Sequence, residues 1–348
     1  MSQPAWRMPA EWEPHERTWM AWPSAGYTLG ETAADAEEAR TTWAAVARAV
    51  ARFEPVTVVV TSPDVRIARE HLGTDSPHEI DIVVASLDDA WMRDIGPSFV
   101  LRDGRLGGVD WVFNGWGGQD WASWEDDARV AELVTDVAGG AHLPSTLVNE
   151  GGGIHVDGQG TVLLTETVQL DPGRNPGLTR EDVEAELART IGATTAIWLP
   201  RGLTRDYDSF GTRGHVDIVA CFSEPGTVLV HWQDDHDHPD HEVSREAEAV
   251  LSAARDAKGD PLRVVRVPAP RTLTDDEGPV DWSYINHLVC NGGVVACTFE
   301  DERDDEALAV LRAAYPGREV VGVDARPLYA RGGGIHCITQ QQPAVPAG

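Results

Sequence analysis

Apolar side chains recur along this chain with two periods, and each period predicts a different element. Between Thr32 and Phe53 the apolar positions return every three or four residues, which predicts a helix with one buried face. Pro63 follows Ser62 and suits the first position of a second helix. Further helices are predicted to begin near Ala122, Thr179, Ser244 and Arg303, and Thr179 with Asp182 resembles a capping box.

Short β-type runs separate these helices, and turn residues bound most of the runs. From the Ser62 helix onward, successive helices begin about every 60 residues, which favours repeated units over independent domains. Five units of about 60–70 residues would account for the chain. The predicted strands are 55–60, 79–86, 161–166, 195–200, 217–222, 227–232, 263–268, 292–297 and 319–324.

A glycine–histidine element occurs three times and supports the repeat. GGGIHVDG (151–158), RGHVDIV (213–219) and RGGGIHCIT (331–339) each predict a glycine before a strand that opens with histidine. Such recurrence is typical of a pseudo-symmetric α/β fold whose units converge on a common axis. The acidic run at 232–242 is predicted to be a surface loop.

Composition and charge narrow the class of protein. Of 348 residues, 42% are hydrophobic, which is enough for a substantial core, and no low-complexity linker divides residues 1–348, so one domain is expected. A net charge of −29 argues against nucleic-acid and anionic-membrane partners and favours small cations. The first residues lack an apolar signal segment, and the four cysteines lack CxxC spacing, so a cytoplasmic protein is expected.

Cys337 is the first candidate for chemistry, because it follows a glycine run that permits close backbone approach. A thiol needs a positive neighbour or a cationic substrate to ionise at neutral pH. His336 is adjacent, but successive residues of a strand point to opposite faces, so it is a poor candidate for the direct base.

Acidic, histidine and aromatic residues supply the other candidates. His215 and Asp217 would share one face of the predicted strand and could serve as proton shuttle and cation holder. Trp91 and Asp94 flank a predicted loop closed by Gly96 and Pro97, and an aromatic ring with a carboxylate can bind a cation. Glu150 precedes the first glycine run and could support a catalytic histidine.

Seven motifs in order resemble the agmatine deiminase and bacterial-type peptidylarginine deiminase family over nearly the whole chain. That resemblance implies a five-bladed α/β propeller and a hydrolase of guanidine compounds that needs no metal or organic cofactor. It implies agmatine as substrate, with free arginine or peptidylarginine as alternatives. The motifs are MPAEWEPHERTWMAWP (8–23), WMRDIGPSFV (91–100), FNGWGG (113–118), NEGGGIHVDG (149–158), GHVDIVACF (214–222), WSYINHLVCNGGVV (282–295) and GGGIHCITQQQP (332–343).

The resemblance implies roles for individual residues. Cys337 matches the nucleophile, His215 the general acid/base and Glu150 the acid that supports the histidine. Asp94 and Asp217 match the carboxylates that bind the guanidinium. Trp91, Trp116 and Asn286 are further candidates for substrate binding. Gly334 and Gly153 depart from the Asn and Ser that are usual in the family's motifs, and their effect on substrate choice is open.

Two other classes compete with this interpretation. A metal-dependent hydrolase could use the His/Asp motifs, and a binding protein without catalysis could use the same propeller. The sequence leaves a homo-oligomer open. The histidines and acids for a metal would be His155, Asp157, His215, Asp217, His231, His236, His238 and His241.

Overall fold

The computed structural model describes residues 5–346, which form an α/β fold of mixed sheets. Within this range, each of five sheets contains an antiparallel strand pair followed, after a helical connection, by a parallel strand. The strands are β1 (His15–Ala21), β2 (Val56–Val60), β3 (Ile80–Val84), β4 (Ser98–Arg102), β5 (Arg105–Val112), β6 (Ala141–Val148), β7 (Ile154–Val156), β8 (Thr161–Thr165), β9 (Thr195–Leu199), β10 (Ala220–Glu224), β11 (Thr227–Trp232), β12 (Arg263–Pro268), β13 (Thr274–Asp275), β14 (Gly278–Pro279), β15 (Leu288–Cys290), β16 (Gly293–Thr298), β17 (Glu319–Asp324) and β18 (Thr339–Pro343).

Helices lie in the connections between parallel neighbours, as a crossover between parallel strands requires. The α5 segment is a helix only in its hydrogen bonds, because two of its residues have left-handed backbone angles. The helices are α1 (Gly26–Leu29), α2 (Ala33–Val50), α3 (Val65–Leu72), α4 (Met92–Ile95), α5 (Gly115–Gly118), α6 (Val130–Val137), α7 (Glu166–Gln169), α8 (Arg180–Thr190), α9 (Asp240–Ala253), α10 (Asp304–Ala314) and α11 (Arg326–Tyr329).

The sheets share one strand order. In four of them the orders are β4-β5-β6, β7-β8-β9, β10-β11-β12 and β15-β16-β17. The remaining sheet has the order β18-β1-β2-β3, so the antiparallel partner of β1 is β18, from the opposite end of the described chain. A two-stranded pair, β13-β14, stands apart from these sheets.

Local sequence explains the elements that were predicted correctly. The α2 helix begins after Thr32, whose hydroxyl accepts from the Asp35 N–H in a capping box, and it buries the predicted apolar face. The predicted capping box of Thr179 and Asp182 is likewise present at the start of α8. All residues of β2 and β8 are buried, as expected for strands covered on both faces.

Several predicted boundaries are wrong. The helix expected near Ala122 begins at Val130, after a 3₁₀ turn, and the helix expected near Ser244 begins at Asp240. The acidic run at 232–242 is only partly a surface loop, because His238, Asp240 and His241 are buried where the run turns into α9. Periodicity missed β1, β4, β5, β6, β15 and β18. In β1, β4 and β18, buried polar side chains such as His15, Ser98 and Gln340 interrupt the apolar pattern.

The segment before the antiparallel pair of each sheet carries the residues of the glycine–histidine element and its relatives. We call these five stretches the pre-strand segments: 91–97, 149–153, 213–219, 282–287 and 331–338. Because the sheets share one strand order, these segments occupy equivalent positions in the five sheets. They meet one another in the site described below.

Three clusters of buried apolar residues form the core within residues 5–346. The largest cluster surrounds α2 and extends to the Cys337 segment, so the candidate nucleophile lies against the apolar core. None of the helices in this range is long and apolar enough to cross a bilayer.

Candidate active site

Cys337 lies in a turn that ends at β18, not in a strand as the sequence predicted. The side chain is buried, with 6% exposed. Asn286 Nδ2 donates to its Sγ at 3.2 Å, and Asp217 Oδ2 lies 3.5 Å from Sγ. A Cβ at Gly333 would lie 2.7 Å from the Trp91 ring and 3.0 Å from Sγ, so the turn requires glycine there.

The surroundings of Cys337 oppose ionisation when no substrate is bound. Burial raises the pKa of the thiol well above its usual value, and the carboxylates of Asp217 and Asp94 raise it further. The hydrogen bond from Asn286 acts in the other direction. A cation between the sulfur and the two acids would relieve this repulsion.

His215 is the residue before a 3₁₀ turn, Val216–Ile218, so the predicted strand over 217–222 is wrong at its start. The backbone N–H groups of Gly214 and His215 donate to Asp206 Oδ2 at 2.6 and 3.1 Å. Asp206 therefore fixes the turn that presents the imidazole. Strand alternation did not bring His215 and Asp217 to the same site; the 3₁₀ turn does.

The imidazole of His215 is held by carboxylates on both sides. Its Nε2 lies 3.1 Å from Glu150 Oε2, and its Nδ1 lies 3.9 Å from Asp94 Oδ1. Burial lowers the pKa of His215, but Asp94 and Glu150 outweigh burial and raise it to about 9. The ring is therefore an imidazolium at neutral pH and can donate a proton.

Glu150 is buried and paired with Arg174, whose Nε lies 3.0 Å from both carboxylate oxygens. Burial raises the pKa of Glu150, but Arg174 and His215 outweigh it and lower the pKa overall. Arg174 also donates to Asp171 at 3.0 Å through Nη1. Glu150 thus stays ionised next to the histidine.

Asp94 lies in the short buried helix α4 rather than in the predicted loop. Its Oδ2 accepts from Trp116 Nε1 at 2.9 Å, and its Oδ1 accepts from the Gly152 N–H at 3.1 Å. Burial raises the pKa of Asp94 to about 6, partly offset by His215. A Cβ at Gly152 would lie 2.4 Å from His215 Nδ1, so glycine leaves the space in front of the imidazole open.

Asp217 faces Cys337 and is held by His336, whose Nδ1 lies 2.8 Å from Oδ2. Burial raises the pKa of Asp217, but His336 and His215 outweigh burial and lower it. Within the described residues, Asp217 Oδ1 and His215 Nδ1 are buried and lack a hydrogen-bond partner. Asp217 Oδ1 can therefore accept a hydrogen bond from a ligand, and His215 Nδ1 can donate one to it.

The remaining candidates line or support the same space. Trp91 packs beside Gly333 and makes an edge contact with Trp43. Trp116 has a left-handed backbone with φ 55° and stacks on Trp121 at 5.3 Å between ring centroids. Asn286 Oδ1 accepts from the His336 N–H at 2.9 Å, so its amide fixes the Cys337 turn.

Contacts between pre-strand segments run from each sheet to the next. The Gly152 N–H donates to Asp94, and Glu150 binds His215. Asn286 Nδ2 lies 3.4 Å from the Asp217 carbonyl oxygen and 3.2 Å from Cys337 Sγ. The Arg93 N–H donates to the Cys337 carbonyl at 3.0 Å, which returns to the first segment.

The sequence does not single out four residues that contribute to the site: Glu11, Arg174, Asp206 and His336, of which it predicts only that His336 is a poor candidate for the direct base. Glu11 Oε1 lies 2.8 Å from His336 Nε2, although 325 residues separate them. An isolated acid or arginine in a loop carries no sequence signal of such a partner. The recurring GIH pattern was the one available signal for His336.

The two departures from the family pattern lie at different depths. A Cβ at Gly334 would be 2.4 Å from Asn286 Oδ1, so this glycine gives room to a residue that touches the sulfur. A Cβ at Gly153 would instead meet Asn149 Oδ1 at 2.9 Å, behind Glu150. Of the two departures, Gly334 is therefore the one that can affect the nucleophile, because it adjoins Asn286, which contacts the sulfur.

The histidines of the alternative metal site are dispersed. His155 faces Glu11, and His231 Nδ1 lies 3.0 Å from Ser283 Oγ. The rings of His236 and His241 lie 4.2 Å apart between centroids, tilted by 45°, near the start of α9. Among the residues the structure describes, no three His, Cys, Asp or Glu side chains are arranged to hold one metal ion.

Known proteins resemble this chain over almost its whole length. The pattern of the Porphyromonas-type peptidyl-arginine deiminase family matches residues 7–343. A protein of Streptomyces coelicolor is 60% identical over 343 residues, covering 97% of this chain and 98% of that protein. The agmatine deiminase of Stutzerimonas stutzeri is 44% identical, covering 98% and 96%.

Solved structures give the same result. The agmatine deiminase of Enterococcus faecalis superposes with a TM-score of 0.90 at 35% identity, covering 98% of this chain and 97% of that one. The agreement extends over the sheets that carry all five pre-strand segments. The chain therefore belongs to the Porphyromonas-type peptidyl-arginine deiminase family.

Proposed function

We propose that this protein is an agmatine deiminase, a hydrolase that converts the guanidinium of agmatine into the ureido group of N-carbamoylputrescine and releases ammonia. The observation that carries the proposal is the meeting of Cys337, protonated His215 and two acids around one space. A full-length relative with 44% identity and a solved structure with 35% identity bear the name agmatine deiminase.

Substrate binding would begin with the two carboxylates. A guanidinium is planar and permanently charged, and its N–H groups suit carboxylate oxygens. Asp217 Oδ1 has no other partner within the described residues, and Asp94 lies across the site. The bound cation would lower the pKa of Cys337 and release the thiol proton to solvent.

Attack by sulfur would follow. The thiolate forms a bond to the central guanidinium carbon and gives a neutral tetrahedral adduct. His215 Nδ1 donates its proton to one NH₂ group, the C–N bond breaks, and ammonia leaves. The carbon remains bound to Sγ as a cationic S-alkylthiouronium.

Hydrolysis would complete the cycle. His215, now neutral, takes a proton from water as the oxygen bonds to the same carbon. The second tetrahedral adduct breaks its C–S bond, loses its hydroxyl proton and yields the urea-type product with free thiolate. Glu150 holds the imidazole in place throughout and stabilises its charged form.

The far end of the substrate favours an amine over a carboxylate. Arg331 is committed to the Thr28 and Asp35 carbonyls and to Glu38, and Arg93 is buried against Glu11. Arg213, with 39% of its side chain exposed, pairs with Asp171 at 3.4 Å. Arg331 is therefore fully engaged. Arg93 Nη2 is buried without a hydrogen-bond partner among the described residues, but Arg93 lies beside Asp94 and Asp217, which would bind the guanidinium, and not at the far end of the substrate.

Aromatic side chains form a surface that could bind the alkylammonium group of agmatine. Trp116 stacks on Trp121, and Phe210 stacks on Tyr27 with centroids 3.7 Å apart. Trp121 also contacts Phe210 at 5.1 Å, so the four rings form one continuous group. Ring faces attract cations, which favours agmatine.

We also infer that the five sheets close into one five-bladed propeller domain. The support is the sequence of contacts from each pre-strand segment to the next, ending with the Arg93–Cys337 backbone bond. A closed propeller has one central axis, and the five pre-strand segments would meet there in one site.

The expected cytoplasmic location is supported by the cysteines, since the four thiols are unpaired.

The test is a comparison of substrates. The protein is incubated separately with agmatine, free arginine and an arginine peptide, and ureido product and ammonia are measured. We expect agmatine to be consumed and Cys337→Ala to abolish turnover, whereas the matched control Cys290→Ala, also at a buried cysteine, retains it. Faster turnover of arginine or the peptide would overturn the substrate, and turnover by Cys337→Ala would overturn the mechanism.

The metal-dependent alternative has a separate test. Prolonged dialysis against a chelator should leave the rate with agmatine unchanged. Activity that disappears with chelator and returns with zinc would replace the mechanism proposed above.

A further inference from the structure

His336 lies between two carboxylates on opposite sides of its ring. Its Nδ1 is 2.8 Å from Asp217 Oδ2, and its Nε2 is 2.8 Å from Glu11 Oε1. All three side chains are buried. A neutral imidazole has one N–H donor, so two such contacts require either an imidazolium or a protonated carboxyl group.

Glu11 is surrounded by groups that favour its ionised form. Arg93 Nη1 and His155 Nε2 each lie 3.6 Å from its carboxylate oxygens. The Phe222 N–H donates to His155 Nδ1 at 3.2 Å, so the proton of that ring sits on Nε2, towards Glu11. Burial raises the pKa of Glu11, but His336, His155 and Arg93 outweigh it and hold the pKa well below its usual value.

Asp217 is ionised for the same kind of reason, since the hydrogen bond from His336 lowers its pKa against burial. With both carboxylates ionised, both nitrogens of His336 must donate. Burial and Arg93 oppose the charge on His336, whereas Glu11 and Asp217 outweigh them and raise its pKa.

We propose that His336 is a positioning residue, held as an imidazolium between Glu11 and Asp217, which keeps Asp217 ionised and turns its Oδ1 towards the guanidinium of the substrate. This inference rests on the proposed function. It assigns a task to the buried Glu11–His336 pair, which does not itself touch the reacting carbon.

The consequence for the site is electrostatic. Asp217 stands near Asp94, and ionisation of Cys337 adds a third negative charge. A fixed cation behind Asp217 offsets that repulsion without occupying the substrate's place. The charged and titratable groups that face His336 are Glu11, Asp217, Arg93, His155, His287 and Cys337.

The first test compares His336→Gln with His231→Gln. His231 is also buried, but it bonds to Ser283, and burial lowers its pKa to about 3, so it is neutral. For His336→Gln we expect KM for agmatine at pH 7 to rise at least tenfold, more than kcat falls, and the acid limb of kcat/KM to move to higher pH. His231→Gln should leave both unmoved.

A second variant covers the case in which His336→Gln does not fold. Glu11→Gln retains a hydrogen-bond acceptor but removes the charge that holds the imidazolium, so it should shift KM and the acid limb in the same direction. Unchanged KM and pH profile in either folded variant would overturn the inference, because a merely structural role would change only the yield or stability.

A readout independent of turnover separates this inference from the proposed function. In ¹⁵N-histidine-labelled protein, the His336 ring is identified by the signals that change in His336→Gln or Glu11→Gln. Both its nitrogens should stay protonated above the pH at which a free imidazole loses its proton, because Glu11 and Asp217 raise the pKa of His336. A neutral His336 would overturn the inference even if agmatine is the substrate, and a protein that leaves agmatine untouched with His336 protonated would overturn only the function.

Discussion

His215 and Glu150 lie in segments that precede different sheets, and their side chains meet with Nε2 3.1 Å from Oε2. This leaves Nδ1 directed into the site, 3.9 Å from Asp94. The buried carboxylate is one of the groups that raise the pKa of His215 to about 9. The pair therefore determines both the orientation and the charge of the proton donor.

Replacing Glu150 by glutamine should weaken that donor. Loss of the charge lowers the pKa of His215, so the alkaline limb of the kcat profile should move to lower pH and kcat should fall about a hundredfold. Glu54→Gln is the matched control, since Glu54 is a buried acid bonded to His15 outside the site. Equal alkaline limbs in the two variants would contradict the role of Glu150.

The wild-type protein should have a bell-shaped dependence of kcat/KM on pH. Asp94, with its pKa raised to about 6, is ionised only above that pH, so substrate binding should weaken below it. His215, with its pKa raised to about 9, is protonated only below that pH, so proton donation should fail above it. Initial rates of ammonia release from pH 5 to 10 check both limbs. A rate that declines steadily from pH 6 to 8 would contradict this assignment.

Asp94 should reduce the stability of the empty protein at neutral pH. Its folded pKa of about 6 exceeds the usual 3.8, so the stabilisation it contributes is complete below about pH 4 and is lost as pH rises to about 6. The difference of about 2 units corresponds to about 3 kcal/mol. Relative to the wild type, Asp94→Asn should therefore gain about that much between pH 4 and 7.

Urea denaturation across this pH range measures the effect, with the exposed Asp208→Asn as control. The control should show no such trend. Asp94→Asn should at the same time lose turnover of agmatine. A constant stability difference at all pH values would show that Asp94 ionises normally.

Asn286→Ala should impair the nucleophile. Its amide donates to Cys337 Sγ at 3.2 Å and opposes the rise in the thiol pKa. A hydrogen bond to a charged group contributes roughly 1.5–3 kcal/mol, so kcat should fall at least about tenfold. The rate of Cys337 alkylation by iodoacetamide, measured against pH with agmatine absent, should decrease in parallel.

Asn291→Ala provides the comparison, because Asn291 bonds to the His15 backbone and lies outside the site. It should leave both rates unchanged. If Asn286→Ala and Asn291→Ala behave alike, the amide supports the fold and does not act on the sulfur.

The sequence predicted which residues form the site more accurately than it predicted their secondary structure. Cys337, His215, Asp94, Asp217 and Glu150 lie around one space, as the resemblance to the deiminase family implied. Alternation along a strand was the wrong reason for His215 and Asp217, because Asp217 lies in a 3₁₀ turn and His215 is the residue just before it. The helix α2 and most parallel strands were predictable because their buried faces repeat regularly.

The sequence could not predict residues that act through partners far away along the chain. Arg174 pairs with Glu150 across 24 residues, and Glu11 reaches His336 across 325. Each contact joins two segments that flank the same sheet and meet only when its strands pair, so no local period or spacing records them. Their burial as charged groups becomes visible only in the folded protein.

The pairing of β1 with β18 has a consequence for the order of folding. Trp19 Nε1 donates to Gln342, 323 residues further along, and Cys337 lies just before the same strand. Closing so long a loop is slow compared with forming the hairpins inside the other sheets. During refolding, recovery of catalytic competence should therefore lag behind recovery of secondary structure, since the nucleophile is among the last groups to be set in place.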